Sequence, residues 1–588
     1  MRMRRRNFIG CIGALPLVGV GTAFADEKPL LRIGVLTDTH VGRTKSTCGR
    51  VRQAHDLFRR HSVEMIVNVG DVADYHFPTG YAAYRKTVEE AYAGVPAAER
   101  PKELFVYAAH DYFNYRGNSR KEWAQHATEA YAQMQRHIGA ENGPYAQGSI
   151  KGFPYVVLPQ VMTGGVDFAK CEKMIADAAA ANPGKPVFVF AHEPPAGTTR
   201  CGTGHPKKRA IFNKYPQVVN ISGHTHGTLA EERAIWQGEF TSVNVGCLQK
   251  WGSGRSGAVG YSSPAMQNYG VLIVDVYSSR VVFRRFDVRD GAEYRAENPW
   301  MIPWPFDPAS APYSLKNRKD MYAVSRFAEG AALSVMDSKM ESGGVQLTVP
   351  ATSGEPRPFV YRVRMDRLDD EGKWRPHTRR DFIGDVWQRE FERPENYEQE
   401  FPSAYFESGK KYRFRVAPVN FWGCEGKSKE VEFVAPECNF KTEVVWESRD
   451  PMDECPLLSN TSRKSLQPRD GEFCRLDSRY AWFVFPKGVW DGEKGTRFRL
   501  VADIHTIQKS GPTWTLVLVN EHPWKYGSGR VRTPGGDSGT FRYVMDLSKK
   551  EASHIYHLLI REGGEGKLRI DRIRLERLPP AEDFNVIR

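Results

Sequence analysis

Carboxylate and imidazole side chains recur in five short clusters in the N-terminal half of the chain. The clusters are Asp38-Thr39-His40, Gly70-Asp71-Val72-Ala73-Asp74, Ala109-His110-Asp111, Ala191-His192 and Gly223-His224-Thr225-His226. Oxygen and imidazole donors without thiolate suit divalent manganese, iron or zinc. These residue types therefore predict a metal site, and we expect a double one.

Each cluster directly follows a short apolar run, which predicts a buried strand. The five predicted strands cover residues 31–36, 65–69, 104–107, 187–190 and 218–221. Open α/β sheets place their ligand sites at the carboxyl ends of the strands. We therefore expect the carboxylates and imidazoles to gather at the carboxyl ends of several strands.

The ordered series DTH, GDVAD, AHD, AHEPP and GHTH resembles the calcineurin-like metallophosphoesterase superfamily over roughly residues 30–290. The family patterns are DxH, GDxxD, GNH[DE], a lone His, and GHxH, so four of the five motifs match. The third departs, because Ala108-Ala109 stands in place of Gly-Asn. Any single motif could be an ordinary hydrogen-bonded histidine of a core or loop. Five motifs in order, each after an apolar strand, are specific.

The resemblance implies two sets of metal ligands that share one carboxylate, Asp71. The sets are Asp38, His40, Asp71 and His226 for one ion, and Asp71, His192 and His224 for the other. Two divalent ions (Mn, Fe or Zn) would then generate a metal-bound hydroxide that attacks the phosphorus atom, and they would clamp the phosphate oxygens.

Three further residues receive roles from the same resemblance. His110 matches the general acid of the family, which protonates the departing alkoxide, and Asp111 would orient its imidazole. Asp74 would hold a ligand through a hydrogen bond.

Ala109 stands at a position where the family has a metal ligand. In the family, the Asn at this place gives its side-chain oxygen to the second metal, and Ala has no donor atom. Water could fill the vacancy, another side chain could reach in, or the second site could be only partly occupied. We expect one firmly held ion and a weaker one at His192 and His224.

The segments between the motifs predict an α/β sandwich in which β-sheets are covered by helices. Apolar residues recur at helical spacing from Val51 to Phe58, which gives a parallel βαβ unit. Further helices are predicted over residues 80–93, 120–138 and 168–181. Strands over 270–274 and 281–283 would complete a sheet-on-sheet core.

The length of 588 residues predicts two to four domains at a prior of about 150 residues per domain. The phosphoesterase-like domain is assigned to 26–297. Residues 298–313 are too proline-rich for regular structure, so a packed linker is expected over 298–315.

Short alternating runs after the linker predict two all-β sandwich domains. The segment around Tyr412 resembles a strand of a fibronectin type III module, with Tyr412 as the tyrosine corner, and this domain is assigned to 316–436. Residues 437–588 resemble a jelly roll of the carbohydrate-binding type. Alternation slips by one at Asp571-Arg572, which predicts a bulge. Trp514 or Trp524 could contact a sugar, although a core role is commoner for aromatic residues in a sandwich.

Residues 1–25 predict a bacterial-type export signal, and hence a periplasmic or extracellular protein. Arg4-Arg5-Arg6-Asn7-Phe8-Ile9 precedes an apolar stretch and a small-residue cleavage site at Ala23-Phe24-Ala25. The arginine pair resembles a twin-arginine signal, and an ordinary secretory signal is the alternative. After this signal, the sequence contains no stretch that could span a bilayer.

Charge and cysteine content add two weaker indications. The net charge of +13 comes from scattered Lys and Arg residues without a nucleic-acid motif, so a solvated surface that favours anionic substrates is expected. Nine cysteines include Cys438, Cys455 and Cys474, two of which could form a disulfide in an exported domain. The pairing stays open.

These observations predict an exported metal-dependent phosphoesterase that hydrolyses a phosphomonoester or phosphodiester, with a phosphorylated small molecule or glycan as substrate. One alternative is a catalytically impaired relative, weakened by Ala109, that binds a phosphorylated glycan or a cell-surface ligand. A second is a structural adhesion protein built on the two sandwiches. Retention of Asp71, His110 and both histidines of GHTH argues against these alternatives.

Overall fold

A computed structural model gives the fold of the chain. It describes residues 27–42, 46–73, 77–111, 120–160, 162, 165–199, 202, 204–228, 230–249, 269–354, 356–387, 393–438, 440–448, 473–477, 480–485, 489, 496–506, 514–521, 525–533, 539–547, 557–562 and 568–579. The predicted export signal, Asp74, Cys455 and Trp524 lie outside the described residues, as do the side chains of Ala109, Cys474 and Trp514.

The first part of the chain alternates strands and helices. In chain order the elements are β1 (Leu31–Leu36), α1 (Thr47–Arg60), β2 (Met65–Asn68), α2 (Phe77–Ala91), β3 (Lys102–Phe105), α3 (Arg120–Ile138), β4 (Ala146–Ile150), β5 (Phe153–Leu158), α4 (Phe168–Ala181), β6 (Val187–Ala191), α5 (Pro206–Phe212), β7 (Val218–Ser222), β8 (Ile235–Gln237), β9 (Thr241–Asn244), β10 (Gly270–Val276), β11 (Arg280–Asp287), β12 (Ala292–Tyr294) and β13 (Trp300–Pro303).

Two sheets pack face to face in this part of the molecule. One has the order β12-β11-β10-β1-β2-β3, with β13 paired to β11, and the other has the order β4-β5-β6-β7-β9-β8. Strands β1, β2 and β3 are parallel, and so are β5, β6, β7 and β9. One apolar core lies between the sheets, and the outer faces are covered by α1, α2 and α3 on one side and by α4 and α5 on the other.

The uninterrupted apolar runs are explained by burial on both faces of each sheet. In β1, Ile33 and Val35 enter the core between the sheets, whereas Leu36 enters the core under the helices. In β10, Leu272 and Ile273 divide between the same two cores. Successive strand residues point to opposite faces, so a strand buried on both faces needs apolar side chains at every position.

Most predicted elements of this domain are confirmed, with shifted ends. Helix α4 and strand β1 have the predicted bounds, and α3 covers the predicted 120–138. Strand β3 ends at Phe105, two residues before the predicted end, although Val106 and Tyr107 stay buried. Burial continues beyond the hydrogen-bonded ladder, so an apolar run alone does not locate the end of a strand.

The prediction of no regular structure over residues 298–313 is wrong for β13. This strand pairs with β11, from Phe283 opposite Trp300 to Arg280 opposite Pro303. Trp300 and Ile302 are buried in the core between the sheets, whereas Met301 is exposed. The apolar alternation outweighs the proline content because β13 is an edge strand, paired with β11 among the described strands, and proline is tolerated in edge strands.

The middle of the chain is all-β, as predicted. Its strands are β14 (Arg326–Phe327), β15 (Ser334–Asp337), β16 (Gly344–Pro350), β17 (Thr352–Ser353), β18 (Val360–Leu368), β19 (Trp374–Ile383), β20 (Asn396–Pro402), β21 (Lys411–Val419) and β22 (Lys429–Val434). Sheets β15-β16-β20 and β19-β18-β21-β22 enclose one core. Tyr412 is buried and its hydroxyl accepts a hydrogen bond from the backbone N–H of Glu407 at 2.9 Å, which is the contact expected of a tyrosine corner.

The last part of the chain is also all-β. Its strands are β23 (Glu443–Ser448), β24 (Phe473–Asp477), β25 (Tyr480–Val484), β26 (Arg497–Thr506), β27 (Trp514–Glu521), β28 (Lys525–Thr533), β29 (Gly539–Leu547), β30 (His557–Glu562) and β31 (Leu568–Leu578). They form the sheets β23-β31-β26-β29 and β24-β25-β30-β27-β28. The predicted bulge is confirmed, because Asp503 pairs with Arg572 and the next residue, Ile504, pairs with Ile570.

The described residues bear on two other sequence predictions, the disulfide and the membrane-spanning segments. Cys438 is an exposed free cysteine, but the side chains of its two predicted partners are not described, so the disulfide stays a prediction. Within the described parts of the chain, no helix has the length and apolar character needed to cross a membrane.

Candidate metal centre

The carboxyl ends of the parallel strands bring the predicted ligands together. The loops after β1, β2, β6 and β7 carry them into two groups of potential donors whose atoms lie within 4.8 Å of one another. The groups are Asp38, His40, Asp71 and His226, and Asp71, His192 and His224. These are the two sets predicted from the sequence, and both contain Asp71.

The backbone of the ligand loops is unusual. Asp38, His40, Asp71, His224 and His226 all have positive φ angles, between 43° and 71°. This left-handed region is unfavourable for residues with a side chain, and such residues persist where the surrounding structure determines their conformation. Tight turns directly after the strands therefore aim these side chains back over the sheet ends.

Asp38 has one oxygen engaged by the protein and one facing the other ligands. Its Oδ2 accepts hydrogen bonds from Thr37 Oγ1 at 2.8 Å and from the His224 backbone N–H at 2.9 Å. Its Oδ1 lies 3.0 Å from His226 Nε2. Gly223 makes this approach possible, because a Cβ there would lie 2.0 Å from Thr37 Oγ1.

The two carboxylate oxygens of Asp71 also have different partners. Its Oδ1 accepts a hydrogen bond from the backbone N–H of His110 at 2.9 Å. Its Oδ2 lies 3.1 Å from His192 Nε2, in one group, and 3.8 Å from His40 Nε2, in the other. The free oxygen is therefore placed between the two groups, which is the position that a bridging carboxylate requires.

His192 is oriented by a backbone carbonyl. Its Nδ1 lies 2.8 Å from the carbonyl oxygen of Val69, so Nδ1–H donates and Nε2 faces the carboxylates. Such a hydrogen bond selects the tautomer of a metal-binding imidazole. Gly70, with a φ of +104°, lies beside the ring, and a Cβ there would be 2.8 Å from His192 Nδ1.

The arrangement of the donor atoms suits coordination of a metal ion better than hydrogen bonding among the donors themselves. Asp38 Oδ1 and His192 Nε2 are buried and make no hydrogen bond of normal geometry within the described structure. The Nε2 atoms of His40 and His226 converge to 3.3 Å. The convergence of nitrogen and oxygen donors in a buried place indicates a site for a cation. The Asp and His cluster thus suggests a binuclear metal site.

The electrostatics of the cluster also favour cations. Burial raises the pKa of the Asp38 carboxyl group. The His226 and His192 imidazoles outweigh this effect and hold the pKa of Asp38 well below its usual value. Burial likewise lowers the pKa of His192, yet the Asp71 and Asp38 carboxylates raise it to about 9. Two buried carboxylates therefore create a negative potential at the place where the donors converge.

Asp111 lies among backbone N–H groups of two loops. Its carboxylate accepts hydrogen bonds from the backbone N–H groups of Ala108, Asp71, Val72 and Ala73, at 3.0–3.3 Å. The Tyr81 hydroxyl adds a further bond at 3.3 Å. Both oxygens are engaged by backbone N–H groups, and the orienting of the His110 imidazole stays a prediction. Asp111 holds the bridging-carboxylate loop against the loop of His110.

His110 lies beside the first group. It belongs to a 3₁₀ turn, Ala109–Asp111, and its ring contacts the ring of His40 edge to face at a centroid distance of 4.6 Å. The side chain is buried, with 7% exposed. Among the described His, Cys, Asp and Glu residues, the first group contains four potential ligands and the second contains three.

Asn244 is a site-forming residue that the sequence analysis missed. Its Nδ2 donates to the Gly223 carbonyl oxygen at 2.6 Å, and its Oδ1 accepts from the Thr225 hydroxyl, so it holds both ends of the first GHTH turn. Asn244 is the last residue of β9. The same signal, a polar residue at the carboxyl end of an apolar strand, could have identified it.

Comparison with known proteins gives one family match. Residues 31–228 match the family model described as calcineurin-like phosphoesterase. This segment contains all five motifs, so the N-terminal domain is a calcineurin-like phosphoesterase domain. A comparison with curated proteins finds no match.

Similarities to solved structures are remote. A dimetal phosphatase from Danio rerio has 12% identity and a TM-score of 0.29, with 47% of this chain and 99% of that chain covered. Carbohydrate-binding modules of the β-sandwich superfamily have 10% identity and a TM-score of 0.15, with 43% and 100% covered. A glycoside hydrolase 29 family member from an unknown rumen bacterium has 11% identity and a TM-score of 0.18, with 87% and 88% covered. Scores at this level support no inference about function.

The contacts of Asp111 lead to a specific prediction. Asp111→Asn places an amide N–H₂ group against backbone N–H donors, so the protein should lose at least about 2 kcal/mol of stability and also bind metal less tightly. Urea unfolding and metal analysis after dialysis would measure both effects. A variant with normal stability and metal content but slower turnover would instead support a role in orienting His110.

Proposed function

We propose that this chain, with its calcineurin-like phosphoesterase domain at residues 31–228, is an exported metal-dependent phosphoesterase that hydrolyses a phosphomonoester or phosphodiester. The observation that carries the proposal is the placement of Asp71 Oδ2 between two convergent donor groups. One ion would be held by Asp38, His40, Asp71 and His226, and the other by Asp71, His192 and His224. Manganese, iron and zinc all suit these donors.

Two bound divalent ions supply Lewis-acid polarisation of the phosphate oxygens and activation of water. The residues of the chain provide the geometry for this chemistry. Asp71 offers one oxygen to both groups because its other oxygen is engaged by the His110 N–H. The same hydrogen bond ties the backbone of His110 to the bridging carboxylate, so the position of the imidazole is coupled to that of the metal ligands.

His110 is the proposed general acid. Its ring lies against His40, a ligand of the first group, and is therefore close to where a phosphate ester would be held. An imidazole there would carry a proton and transfer it to the departing alkoxide oxygen. Without this proton, the leaving group would depart as an alkoxide, which is unfavourable for an alkyl ester.

Export and substrate class are further parts of the proposal. Residues 1–25 support export, by the twin-arginine route or by the ordinary secretory route, to a periplasmic or extracellular location. The net charge of +13 supports an anionic substrate, and we propose a phosphorylated small molecule or glycan. A carbohydrate contact by the C-terminal sandwich would suit a glycan substrate.

The first test replaces the shared ligand. Asp71→Ala should remove both metals and abolish hydrolysis of an aryl phosphate, because each group loses the same carboxylate. Metal content and turnover of the purified mature protein are the measurements. Asp370→Ala is a matched control, since this carboxylate lies in the middle sandwich and its side chain is 91% exposed.

Three outcomes of this test are informative. Loss of metal and activity in Asp71→Ala alone supports the enzyme. A wild-type protein that binds metal and a phosphorylated glycan without hydrolysing any ester would favour the impaired binding protein. A wild-type protein without metal would contradict the assignment altogether.

The second test examines the general acid. His110→Ala should keep its metals but hydrolyse alkyl phosphates about 100-fold or more slowly, because general acid catalysis contributes roughly 10²–10⁴-fold. Aryl esters with good leaving groups should be affected much less. Turnover of both ester types, together with metal content, gives the comparison, and equal slowing of the two would remove His110 from this role.

The third test restores the donor missing at residue 109. Ala109→Asn should tighten the second metal and raise turnover at limiting metal, since loss of even a supporting group of a metal site commonly costs about 10–100-fold in affinity. Titration of metal-depleted protein with manganese would measure both sites. Two equally tight sites in the wild type, unchanged by the substitution, would show that another residue already replaces the donor.

A further inference from the structure

Residues close to His226 in the chain lie at the interface with the middle β-sandwich. Ala230, four residues later, is buried in an apolar cluster that otherwise consists of sandwich residues. The cluster contains Ala230, Phe359, Val360, Ile383, Val386, Val419 and Phe421, with Tyr294 and Trp422 packed against it. A short segment therefore joins a predicted metal ligand to a hydrophobic contact between domains.

Arg233 adds a second contact to the same surface. Its guanidinium carbon lies 5.3 Å from the ring centre of Phe359 and 5.6 Å from that of Phe421. The two rings are themselves 4.7 Å apart. Glu231 accepts hydrogen bonds from Nε and an Nη of Arg233, at 2.5 and 3.0 Å, so the guanidinium is held over the rings. Cation–π contacts of this kind are strongest where water is excluded.

Glu232 anchors the segment on the catalytic side. Its carboxylate accepts hydrogen bonds from Arg295 at 2.8 Å and from the indole N–H of Trp300 at 3.1 Å. Its carbonyl oxygen accepts a hydrogen bond from Arg318 at 2.6 Å. Arg318 also lies 4.8 Å from the ring centre of Trp422, in the sandwich, so one buried cation contacts both domains.

The sandwich also holds the chain that connects the domains. Asn420 Nδ2 donates to the carbonyl oxygens of Met321 and Ala323, both at 2.8 Å. These residues follow Arg318 closely. The sandwich is thus attached to the catalytic domain through the segment 230–235 and through the connection itself, rather than through a free tether.

We infer that the middle β-sandwich is a positioning element for the metal centre: by docking Ala230 and Arg233 onto Phe359 and Phe421, it holds the loop of His226. His226 has a φ of 50°, which has to be maintained by its surroundings. Upstream, Asn244 and Asp38 hold residues 223–225. Downstream, the docked segment 230–233 provides the second anchor. The inference rests on the proposed function, because it assigns the metal to this loop.

The test uses Phe421→Ala in the full-length chain. The metal held by Asp38, His40, Asp71 and His226 should bind about 10-fold more weakly. This is the lower end of the loss of affinity that follows removal of a supporting group from a metal site. Calorimetric titration of metal-depleted protein with manganese measures the affinity. In the same protein before metal is added, amide hydrogen exchange over residues 224–234 should be faster. Phe421→Tyr, which keeps the ring, should restore both values.

Phe406→Ala is the matched control. This aromatic residue belongs to the same sandwich but packs against Tyr412 and Phe433, on the core side. The control should lower the stability of the sandwich without changing metal affinity or exchange over residues 224–234. Equal effects of both Ala variants would overturn the inference, because general destabilisation would then explain them.

The remaining outcomes separate this inference from the proposed function. A wild-type protein that binds no metal would contradict the proposed function. A wild-type protein that binds metal, with Phe421→Ala binding equally well, would overturn the inference alone. If Phe421→Ala does not fold, Arg233→Met removes the cation from a partly exposed position, and the same loss of affinity with faster exchange is expected.

Discussion

The position of one carboxylate oxygen is the constraint on which the site depends. Asp71 Oδ2 can lie between the two donor groups only because Oδ1 is engaged by the His110 N–H. That hydrogen bond requires the loop after β2 to touch the loop after β3, and Asp111 closes the contact by accepting backbone N–H groups from both loops. The parallel pairing of β2 with β3 brings the two loops side by side. Sheet order and bridging geometry are thus parts of one arrangement.

The site by itself would destabilise the folded protein, and contacts elsewhere in the domain offset this destabilisation. Buried carboxylates, buried imidazoles and five left-handed residues are each unfavourable. Each carboxylate is stabilised by hydrogen bonds to one of its oxygens, which leaves the other for the centre. The apolar cores on both faces of the sheets support the loops from below. Glu232 and Arg318 then join the loop of His226 to the middle sandwich, so the all-β region belongs to the structural environment of the centre.

The sequence predicted the elements of the fold better than their limits. Strong periodicity gave α4 and β1 with the observed bounds, and the slipped alternation gave the bulge at Asp571. The end of β3 was misplaced because Val106 and Tyr107 stay buried beyond the last hydrogen-bonded pair of the strand. Strand β13 was missed because proline content was weighted above the alternation of Trp300 and Ile302. Both errors concern residues whose state depends on a partner distant in the sequence.

For the site, the sequence by itself determined which residues converge. The position of the motifs at the carboxyl ends of predicted strands indicated that these side chains gather, and the division into two ligand groups was implied by the family resemblance. Only the tertiary structure decided how each side chain is used. Asp111 accepts hydrogen bonds from backbone N–H groups of two loops, and Asn244 and the middle sandwich hold the GHTH loop. The physical reason is that hydrogen bonds and docking contacts are made between loops that are distant along the chain. Spacing along one strand carries no information about which partner satisfies a buried polar atom.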